Sequence, residues 1–287
     1  MITKVAHFHV DIAHKRLSDL KNIRVVTDRE EYLKIDQVFP IYAEQEFFLD
    51  ELNLEKIRNA NALEIGVGSG ILSIGALKQG ARIVTALEVN PRAKIFAGFN
   101  AMVNNVEDRL VIINGDTSNI FHPVNGRKYD YIFSNPPFEP TPTGAINFYH
   151  SKAGLLGLDF VEDIFKSVDQ YLEENGCLQI VTAAPGDKNT PFPLIELARK
   201  YLKGKVRVVV NPVPITFAHM SRSFAVGSLC TNTELDEMVS YAEQYGISHE
   251  YLCVVHYSKG NNSFKVSKSR KEYLNWEYPF PEFRIVN

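Results

Sequence analysis

The sequence is poor in the features that mark secreted, zinc-binding or membrane proteins. Its 287 residues include three cysteines, Cys177, Cys230 and Cys253, and none of them stands in C-x-x-C spacing. The sequence therefore predicts neither a disulfide framework nor a zinc site, and it favours a reducing cytoplasm. No apolar run reaches the roughly 20 residues that a membrane helix needs, and the first residues lack the apolar core of a signal peptide. We expect a cytoplasmic protein without membrane association.

Neither strong net charge nor sequence repetition is present. The formal net charge is -3 and the isoelectric point is about 6.3, so nothing draws the whole molecule toward nucleic acid or anionic lipid. This overall balance does not exclude a basic patch on part of the surface. His7, His9 and Asp11 stand at alternate positions, so on a strand they would share one face and could bind a metal ion. No later cluster of His and carboxylate residues completes a coordination sphere, however. We therefore expect no metal.

The most informative stretch is a short apolar segment that ends in a glycine turn. Residues 61–65 read as a buried strand carrying Glu64, and three glycines follow at alternate positions, namely Gly66, Gly68 and Gly70. Glycine lets the backbone approach a ligand closely, and the helix that begins near Ile71 directs its unpaired N–H groups there. The fingerprint of nicotinamide dinucleotide sites, G-x-G-x-x-G, would require a third glycine at position 71, where this chain has Ile71. The pattern thus predicts a nucleotide-type ligand of another kind.

An acid followed by G-x-G-x-G resembles the first motif of the class I S-adenosylmethionine-dependent methyltransferases. A second apolar strand ends at Glu88 and a third leads to Asp116, in an alternating strand and helix order. The resemblance implies a Rossmann-like α/β fold with a seven-stranded, mostly parallel sheet and helices on both faces, and it implies S-adenosylmethionine as cofactor. In that family the acid at Glu88 accepts the ribose hydroxyls, and Asp116 and the N–H of Thr117 bind adenine. The cofactor-binding residues implied are Glu64, Gly66, Gly68, Gly70, Glu88, Asp116, Thr117 and Asn135.

The fourth strand carries a reactive motif. Residues 129–133 run into Asn135, Pro136, Pro137 and Phe138, which resemble the N-P-P-[YF] signature of methyltransferases that act on planar nitrogens. A planar NH₂ group is a poor nucleophile, so both of its hydrogens must be held while the nitrogen faces the methyl donor. The Asn135 oxygen and the Pro136 carbonyl can accept those two hydrogens, prolines stiffen the turn, and Phe138 packs against the flat group.

The stretch from about residue 32 to 185 resembles the HemK-like protein glutamine methyltransferases. The likeness includes Gly154, Gly157 and Asp159, a helix, and the strand 177–182. Three departures stand out: the lead-in is short for a helical substrate domain, Phe138 replaces the usual tyrosine, and Thr182 to Pro185 lack the glutamate that follows the family's fifth strand. These departures make a small molecule with an amide, amine or ring nitrogen a competitor to a protein glutamine.

The rest of the chain is organised around that core. We predict a lead-in over 1–35 with a helix at 13–20, a methyltransferase core over 36–210, and C-terminal strands plus a substrate-side cap over 211–287. Phe39, Pro40 and Tyr42 are candidates to line the donor site. Within the C-terminal part we predict strands at 223–229 and 249–257 and a helix at 234–245.

The basic and aromatic tail gives an alternative function. Lys265 to Lys271 are followed by Trp276, Tyr278, Phe280 and Phe283, so RNA binding through phosphates and stacked bases competes with a solvated loop and a packed tail. The main hypothesis is methyl transfer to a planar nitrogen of a small molecule or protein glutamine. The alternatives are an RNA or nucleobase N-methyltransferase and a non-catalytic nucleotide-binding scaffold. The sequence leaves the oligomeric state open.

Overall fold

The structure is a computed structural model that describes residues 15–32, 34–141, 153–225, 231–274 and 276. Its strands are β1 Lys15–Leu20, β2 Ile23–Asp28, β3 Asn61–Ile65, β4 Ile83–Glu88, β5 Leu110–Asn114, β6 Tyr129–Ser134, β7 Leu172–Gly186, β8 Lys205–Val210, β9 Ile215–Thr216, β10 His249–Ser258 and β11 Ser263–Lys268. Its helices are α1 Ala43–Asp50, α2 Leu54–Ile57, α3 Ile71–Lys78, α4 Pro91–Val103, α5 Asp159–Ser167, α6 Phe192–Tyr201, α7 Phe217–Ala225 and α8 Asn232–Gln244. His7, His9, Asp11, Cys230 and the last aromatic residues lie outside the described ranges.

A single twisted sheet forms the centre of the described part of the chain. Its strands run in the order β11-β8-β10-β7-β6-β3-β4-β5, and β9 pairs with β10. The pairs from β7 to β5 are parallel, whereas β10 runs antiparallel to both of its neighbours, β7 and β8. The predicted α/β Rossmann-like architecture is confirmed. The predicted number of seven strands is wrong, because β9 and β11 raise the count to nine within the described residues.

Two apolar cores cover the two faces of the sheet. Residues on the long strands β7 and β10 alternate between them, as a pleated strand with both faces buried requires. Val181 and Leu252 pack into the first core together with α1 and α3, whereas Ile180 and Cys253 pack into the second with α5 and α6. Helices therefore cover both faces, and the carboxyl ends of β3, β4 and β6 meet at one open edge.

The lead-in contains a β-hairpin where a helix was predicted. β1 pairs with β2 through a two-residue turn in which Lys21 and Asn22 have φ angles of +54° and +63°. Two positive φ values in a two-residue turn suit the right-handed twist of a hairpin. Ile23 and Val25 of β2 are buried in the first core. The helical prediction for 13–20 is wrong because pairing with β2 outweighs the sparse apolar stripe.

Two corrections concern the C-terminal part. Ser223 to Ala225 belong to helix α7 rather than to the predicted strand, and residues 226–230 lie outside the described ranges. The basic stretch from Lys265 is strand β11 up to Lys268, not a loop. Trp276 and Tyr273 are buried, and the Trp276 indole N–H donates to the Val213 carbonyl oxygen at 3.1 Å. The division of the chain at residues 35 and 210 remains a prediction.

Candidate active site

The turn between β3 and α3 forms one wall of a cavity. The N–H groups of Gly66 and Val67 donate to the Leu87 carbonyl oxygen at 3.0 and 3.1 Å, which holds the turn against β4. Gly66 and Gly68 have φ angles of +77° and +50°, and a Cβ added to either would meet no described atom within 4 Å. Any side chain there would extend into open space, so glycine leaves bare backbone at the cavity.

The third glycine has a different local task. Gly70 has a φ angle of +84°, and a Cβ added to it would lie 3.1 Å from the Cα and Cβ atoms of Ala97 in α4. Since Gly70 is the residue before the first turn of α3, its missing side chain lets α3 and α4 approach each other. The sequence pattern grouped it with the ligand-facing glycines, whereas the structure gives it a packing role.

Two buried carboxylates stand at the ends of β3 and β4. Glu64 accepts a hydrogen bond from the Ser73 hydroxyl on α3, and Glu88 accepts the Gly68 N–H at 2.9 Å and the Asn90 N–H at 2.8 Å. Burial raises the pKa of both carboxyl groups, and the nearby charge of Glu88 raises that of Glu64 further. These backbone contacts do not use all of the lone pairs of the Glu88 carboxylate, so it can still accept a hydrogen bond from a ligand hydroxyl.

The residues after β5 complete the same wall. Asp116 accepts hydrogen bonds from the Ser118 N–H at 2.8 Å and the Ser118 hydroxyl at 2.6 Å, and His122 Nδ1 lies 2.8 Å from its other oxygen. These contacts, led by those from Ser118, hold the pKa of Asp116 well below its usual range. Asp116 is therefore ionised, and its loop is fixed next to Thr117, which also lines the cavity.

The cavity has a volume of about 740 Å³. That size suits a cofactor with a nucleoside and an amino-acid part. It brings together most of the predicted site, and its lining includes Glu64, Gly66, Gly68, Glu88, Asp116, Thr117, Asn135, Pro136, Pro137 and Phe138. Of the residues predicted to bind the cofactor or to form the N-P-P-F motif, Gly70 alone is missing from this lining. Of the three further donor-site candidates, Phe39 lines the cavity and Pro40 and Tyr42 do not.

Asn135 presents an unused acceptor at this site. It follows directly on β6, where the Ser134 hydroxyl donates to the Ile65 carbonyl oxygen at 2.7 Å and fixes the strand end against β3. The Asn135 Oδ1 atom is buried and has no hydrogen-bond partner among the described residues. A buried amide oxygen without a partner costs free energy, on the order of 1–3 kcal/mol, unless a ligand supplies the hydrogen.

The segment after Phe138 is held by glycines further along the chain. The Thr141 N–H donates to the Gly154 carbonyl oxygen at 2.8 Å, and a Cβ added to Gly157 would lie 2.3 Å from the Phe138 carbonyl oxygen. Gly157 also has a φ angle of +74°. Only glycine therefore allows 153–159 to lie against the motif, which explains why the sequence places glycines there.

Residues of the segment 35–39, at the junction of the lead-in and the core, also line the cavity, and the sequence gave no spacing signal for Ile35, Gln37 and Val38. Ile35, Gln37 and Val38 line it beside Phe39. Their anchor is the buried carboxylate of Asp28, which accepts the Val38 N–H at 2.9 Å and both Arg92 Nη2 and Nε, at 2.8 and 3.0 Å. This contact joins residues 64 positions apart, so local periodicity cannot reveal it.

The fold has counterparts among solved structures. A structure described as an S-adenosylmethionine-dependent methyltransferase from Agrobacterium tumefaciens aligns with a TM-score of 0.56 at 14% identity, covering 87% of this chain and 71% of that one. This likeness concerns the fold alone. With the glycine turn and the strand-end acids it defines the class I methyltransferase architecture.

Sequence comparison gives the family. Residues 44–201 match the model of the methyltransferase small domain, which is more than half of the chain, and the chain belongs to that family. A candidate protein N5-glutamine methyltransferase of Methanocaldococcus jannaschii is 35% identical over 143 residues, 48% of this chain and 70% of that protein. A release factor glutamine methyltransferase of Aquifex aeolicus is 34% identical over 144 residues, 46% of this chain. The chain spans half the length of the Aquifex protein.

The site fits the cofactor of that family, S-adenosylmethionine. Gly66, Gly68, Glu88 and Asn135 line one cavity of suitable size, and the Asn135 oxygen has no hydrogen-bond partner among the described residues. The chain is thus an S-adenosylmethionine-dependent methyltransferase by family and fold. Among the helices in the described ranges, none is long and apolar enough to cross a membrane.

Proposed function

We propose that the protein methylates the side-chain amide nitrogen of a glutamine in a protein acceptor. The observation that carries the proposal is the buried Asn135 oxygen, which stands at the cavity without a partner among the described residues. An amide NH₂ group of an acceptor would supply the missing hydrogen. The names of the Methanocaldococcus and Aquifex relatives support glutamine as that acceptor.

The donor is held by backbone and by carboxylates in this proposal. Gly66 and Gly68 let the chain approach the amino-acid part of the cofactor, and Glu88 accepts its two ribose hydroxyls. Asp116 and the Thr117 N–H bind the adenine ring. Glu64 supports the donor site indirectly, because the hydrogen bond that it accepts from Ser73 fixes the first turn of α3 against β3.

The acceptor is held by the motif at the end of β6. When bound, S-adenosylmethionine supplies an electrophilic methyl group on a positively charged sulfur. Asn135 Oδ1 and the Pro136 carbonyl oxygen each accept a hydrogen bond from one of the two amide N–H bonds, so that the nitrogen faces that methyl group. Pro137 keeps the turn rigid and Phe138 packs against the planar amide. Orientation would supply most of the rate: the C–N bond would form as the sulfur–methyl bond breaks, the sulfur would leave as the thioether of S-adenosylhomocysteine, and the surplus proton would then pass from the nitrogen to solvent.

The compartment proposed is the cytoplasm. Cys177 and Cys253 are buried and unbridged, and burial raises the pKa of the Cys177 thiol to about 12. Such thiols are inert and need no oxidising environment. We propose no membrane partner.

Substitution of the acceptor clamp tests the proposal. Asn135→Ala should bind S-adenosylhomocysteine within about threefold of the wild type in calorimetry, while methyl transfer falls by about 10²-fold or more because one of two positioning contacts is lost. Asn125→Ala, in an exposed turn away from the cavity, should change neither. Equal losses of donor binding and transfer in Asn135→Ala would instead show a structural role for this residue.

The acceptor class is decided by one labelling experiment. Lysate is incubated with the enzyme and methyl-tritiated donor after treatment with nuclease, with protease or with neither, and the labelled protein is then digested for mass spectrometry. Label that resists nuclease and appears as N5-methylglutamine supports the proposal. Label lost to nuclease would favour an RNA acceptor, and label confined to the small-molecule fraction would favour a metabolite.

A further inference from the structure

Ten of the 31 basic residues of this protein are concentrated in two segments at one edge of its sheet. The segments 199–210 and 258–271 contain ten Lys and Arg residues and no Asp or Glu, whereas the rest of the chain holds the remaining 21 Lys and Arg against all 34 acids. The net charge of -3 therefore hides a strongly positive region in an otherwise acidic molecule. We call these two segments the basic edge.

The two segments form one continuous surface. β8 and β11 pair in parallel, with Lys205 opposite Ser263 and Arg207 opposite Lys265. The guanidinium of Arg199, at the end of α6, lies 3.9 Å from the ring centroid of Phe264 and so joins the helix to β11. The two segments are consequently adjacent along β8 and β11, although they are about 50 residues apart in sequence.

Most of these charges face solvent and few are neutralised. Nine of the ten are exposed, the exception being the half-buried Lys259. Arg207 pairs with Glu51 at 2.9 Å, and Lys271 contacts Glu46 and Asp50. Lys205, Lys265, Lys268 and Arg270 have no acidic partner within 4.0 Å among the described residues. This exposed group can therefore bind a partner's anionic groups without first breaking an ion pair.

The shape of the basic edge distinguishes a phosphate backbone from a flat lipid surface. β11 is the last strand of the sheet in the described ranges, so its outer N–H groups are free of a strand partner. Lys265 and Lys268 are three positions apart on β11, so they point to opposite faces, and positive charge surrounds a narrow ridge rather than one plane. A ridge with backbone donors fits between the phosphate rows of a nucleic acid duplex.

We propose that the basic edge binds the phosphate backbone of double-stranded RNA. Of the aromatic tail, Trp276 is buried and takes no part in this proposal, while Tyr278, Phe280 and Phe283 lie outside the described residues. The edge lies four strand positions from β6, about 20 Å at the usual spacing of 4.7–4.9 Å per strand. It is thus a second contact region outside the methyl-transfer cavity, and it does not depend on the identity of the methyl acceptor.

The test measures binding of a fluorescent 24-base-pair RNA duplex by anisotropy at 50 and 200 mM salt. The wild type should bind with micromolar affinity at 50 mM and lose roughly tenfold or more at 200 mM, because bound cations are released from each neutralised phosphate. The triple variant Lys265→Gln/Lys268→Gln/Arg270→Gln should bind at least tenfold more weakly and show a shallower salt dependence.

A matched variant and a lipid sample make the result decisive. Arg58→Gln/Arg127→Gln/Lys128→Gln removes three exposed charges elsewhere and should retain RNA binding, and both triple variants should bind S-adenosylhomocysteine as the wild type does. The proposal would be overturned by equal weakening of RNA binding in both triple variants or by absence of RNA binding at 50 mM salt. Binding to vesicles with 30% phosphatidylserine but not to RNA would also overturn it.

Discussion

Three buried glutamates show how differently the same residue type behaves in this protein. Glu64 and Glu88 accept hydrogen bonds from Ser73 and from backbone N–H groups at the cavity. Glu250 on β10 is also buried, but neither of its carboxylate oxygens has a partner among the described residues. Burial raises the pKa of all three carboxyl groups, and for Glu250 no other cause contributes. The first two are satisfied groups of a binding site, whereas the third weakens the fold when ionised.

Glu250→Met should therefore stabilise the protein at neutral and alkaline pH. A glutamate whose folded-state pKa is raised above its unfolded value of about 4.3 leaves stability unaffected below that value and lowers it as the pH rises toward the folded-state pKa. Methionine has a similar volume and no charge, so we expect a gain of about 1–3 kcal/mol in the free energy of unfolding at pH 8. Urea unfolding at pH 5 and pH 8 measures it.

The same substitution at an exposed site is the control. Glu173→Met, in the exposed first residues of β7, should change the free energy of unfolding by less than about 0.5 kcal/mol at both pH values. A loss of stability in Glu250→Met at pH 8 would contradict the expectation and show that this carboxylate has a stabilising partner.

At the scale of elements, the N-terminal hairpin is attached to α4 by side chains that imitate a neighbouring strand. The Asn100 amide accepts the Val26 N–H at 2.8 Å and donates to its carbonyl oxygen at 2.9 Å, and Asn104 makes the same pair of bonds with Arg24. One turn of helix separates the two asparagines, so both face β2. The hairpin in turn carries Asp28, which anchors the segment over the donor cavity.

Arg92→Met should weaken donor binding through this chain of contacts. It leaves the Asp28 carboxylate, whose side chain is 0% exposed, without its guanidinium partner. Breaking a buried pair on one side costs about 3 kcal/mol, and the loosened segment 35–39 should raise the Kd for S-adenosylhomocysteine about tenfold. Calorimetry measures the Kd and urea unfolding measures the stability.

A double-mutant cycle separates this coupling from a general loss of stability. Asp28→Asn combined with Arg92→Met should be less damaging than the sum of the two single changes, because no unpaired charge stays buried. Arg127→Met, which removes an exposed arginine, should leave the Kd unchanged. Strict additivity of the two single changes would contradict a direct link between Asp28 and Arg92.

At the scale of the whole molecule, the cavity lies where β3, β4, β5 and β6 end, so its ligand contacts several elements at once. Binding to the folded state alone should stabilise it by about 2.7 kcal/mol when S-adenosylhomocysteine is present at 100 times its Kd, which corresponds to a rise in Tm of about 5 °C. Differential scanning calorimetry measures the shift.

Two variants define the origin of that shift. Gly68→Val should lose it, because the side chain would enter the cavity and the φ angle of +50° is unfavourable for a β-branched residue. Asn135→Ala should keep most of it, since the donor contacts of Gly66, Glu88 and Asp116 remain in that variant. An unchanged shift in Gly68→Val would mean that the donor binds elsewhere.

Local patterns predicted the parts of the fold that depend on nearby residues. Strands β3, β4, β6 and β10 and the helix α8 occur within a few residues of their predicted positions, helix α3 begins at the predicted Ile71, and the enzyme class is confirmed by the family. Two errors involve strand pairing: β1 pairs with the adjacent β2 across a two-residue turn, and β11 pairs with β8, which lies far earlier in the chain. A sparse apolar stripe or a basic stretch contains no information about such a partner.

The sequence by itself determined the cofactor class and the acceptor motif of this protein, because glycine spacing and strand-end residues act through a few neighbouring atoms. Only the tertiary structure decided that Gly70 packs against Ala97, that Asp28 links Arg92 to the cavity-lining Val38, and that two basic segments lie side by side on β8 and β11. Those features are contacts between residues far apart in the chain. Such contacts form only when folding brings the distant segments together, so a local pattern does not show them.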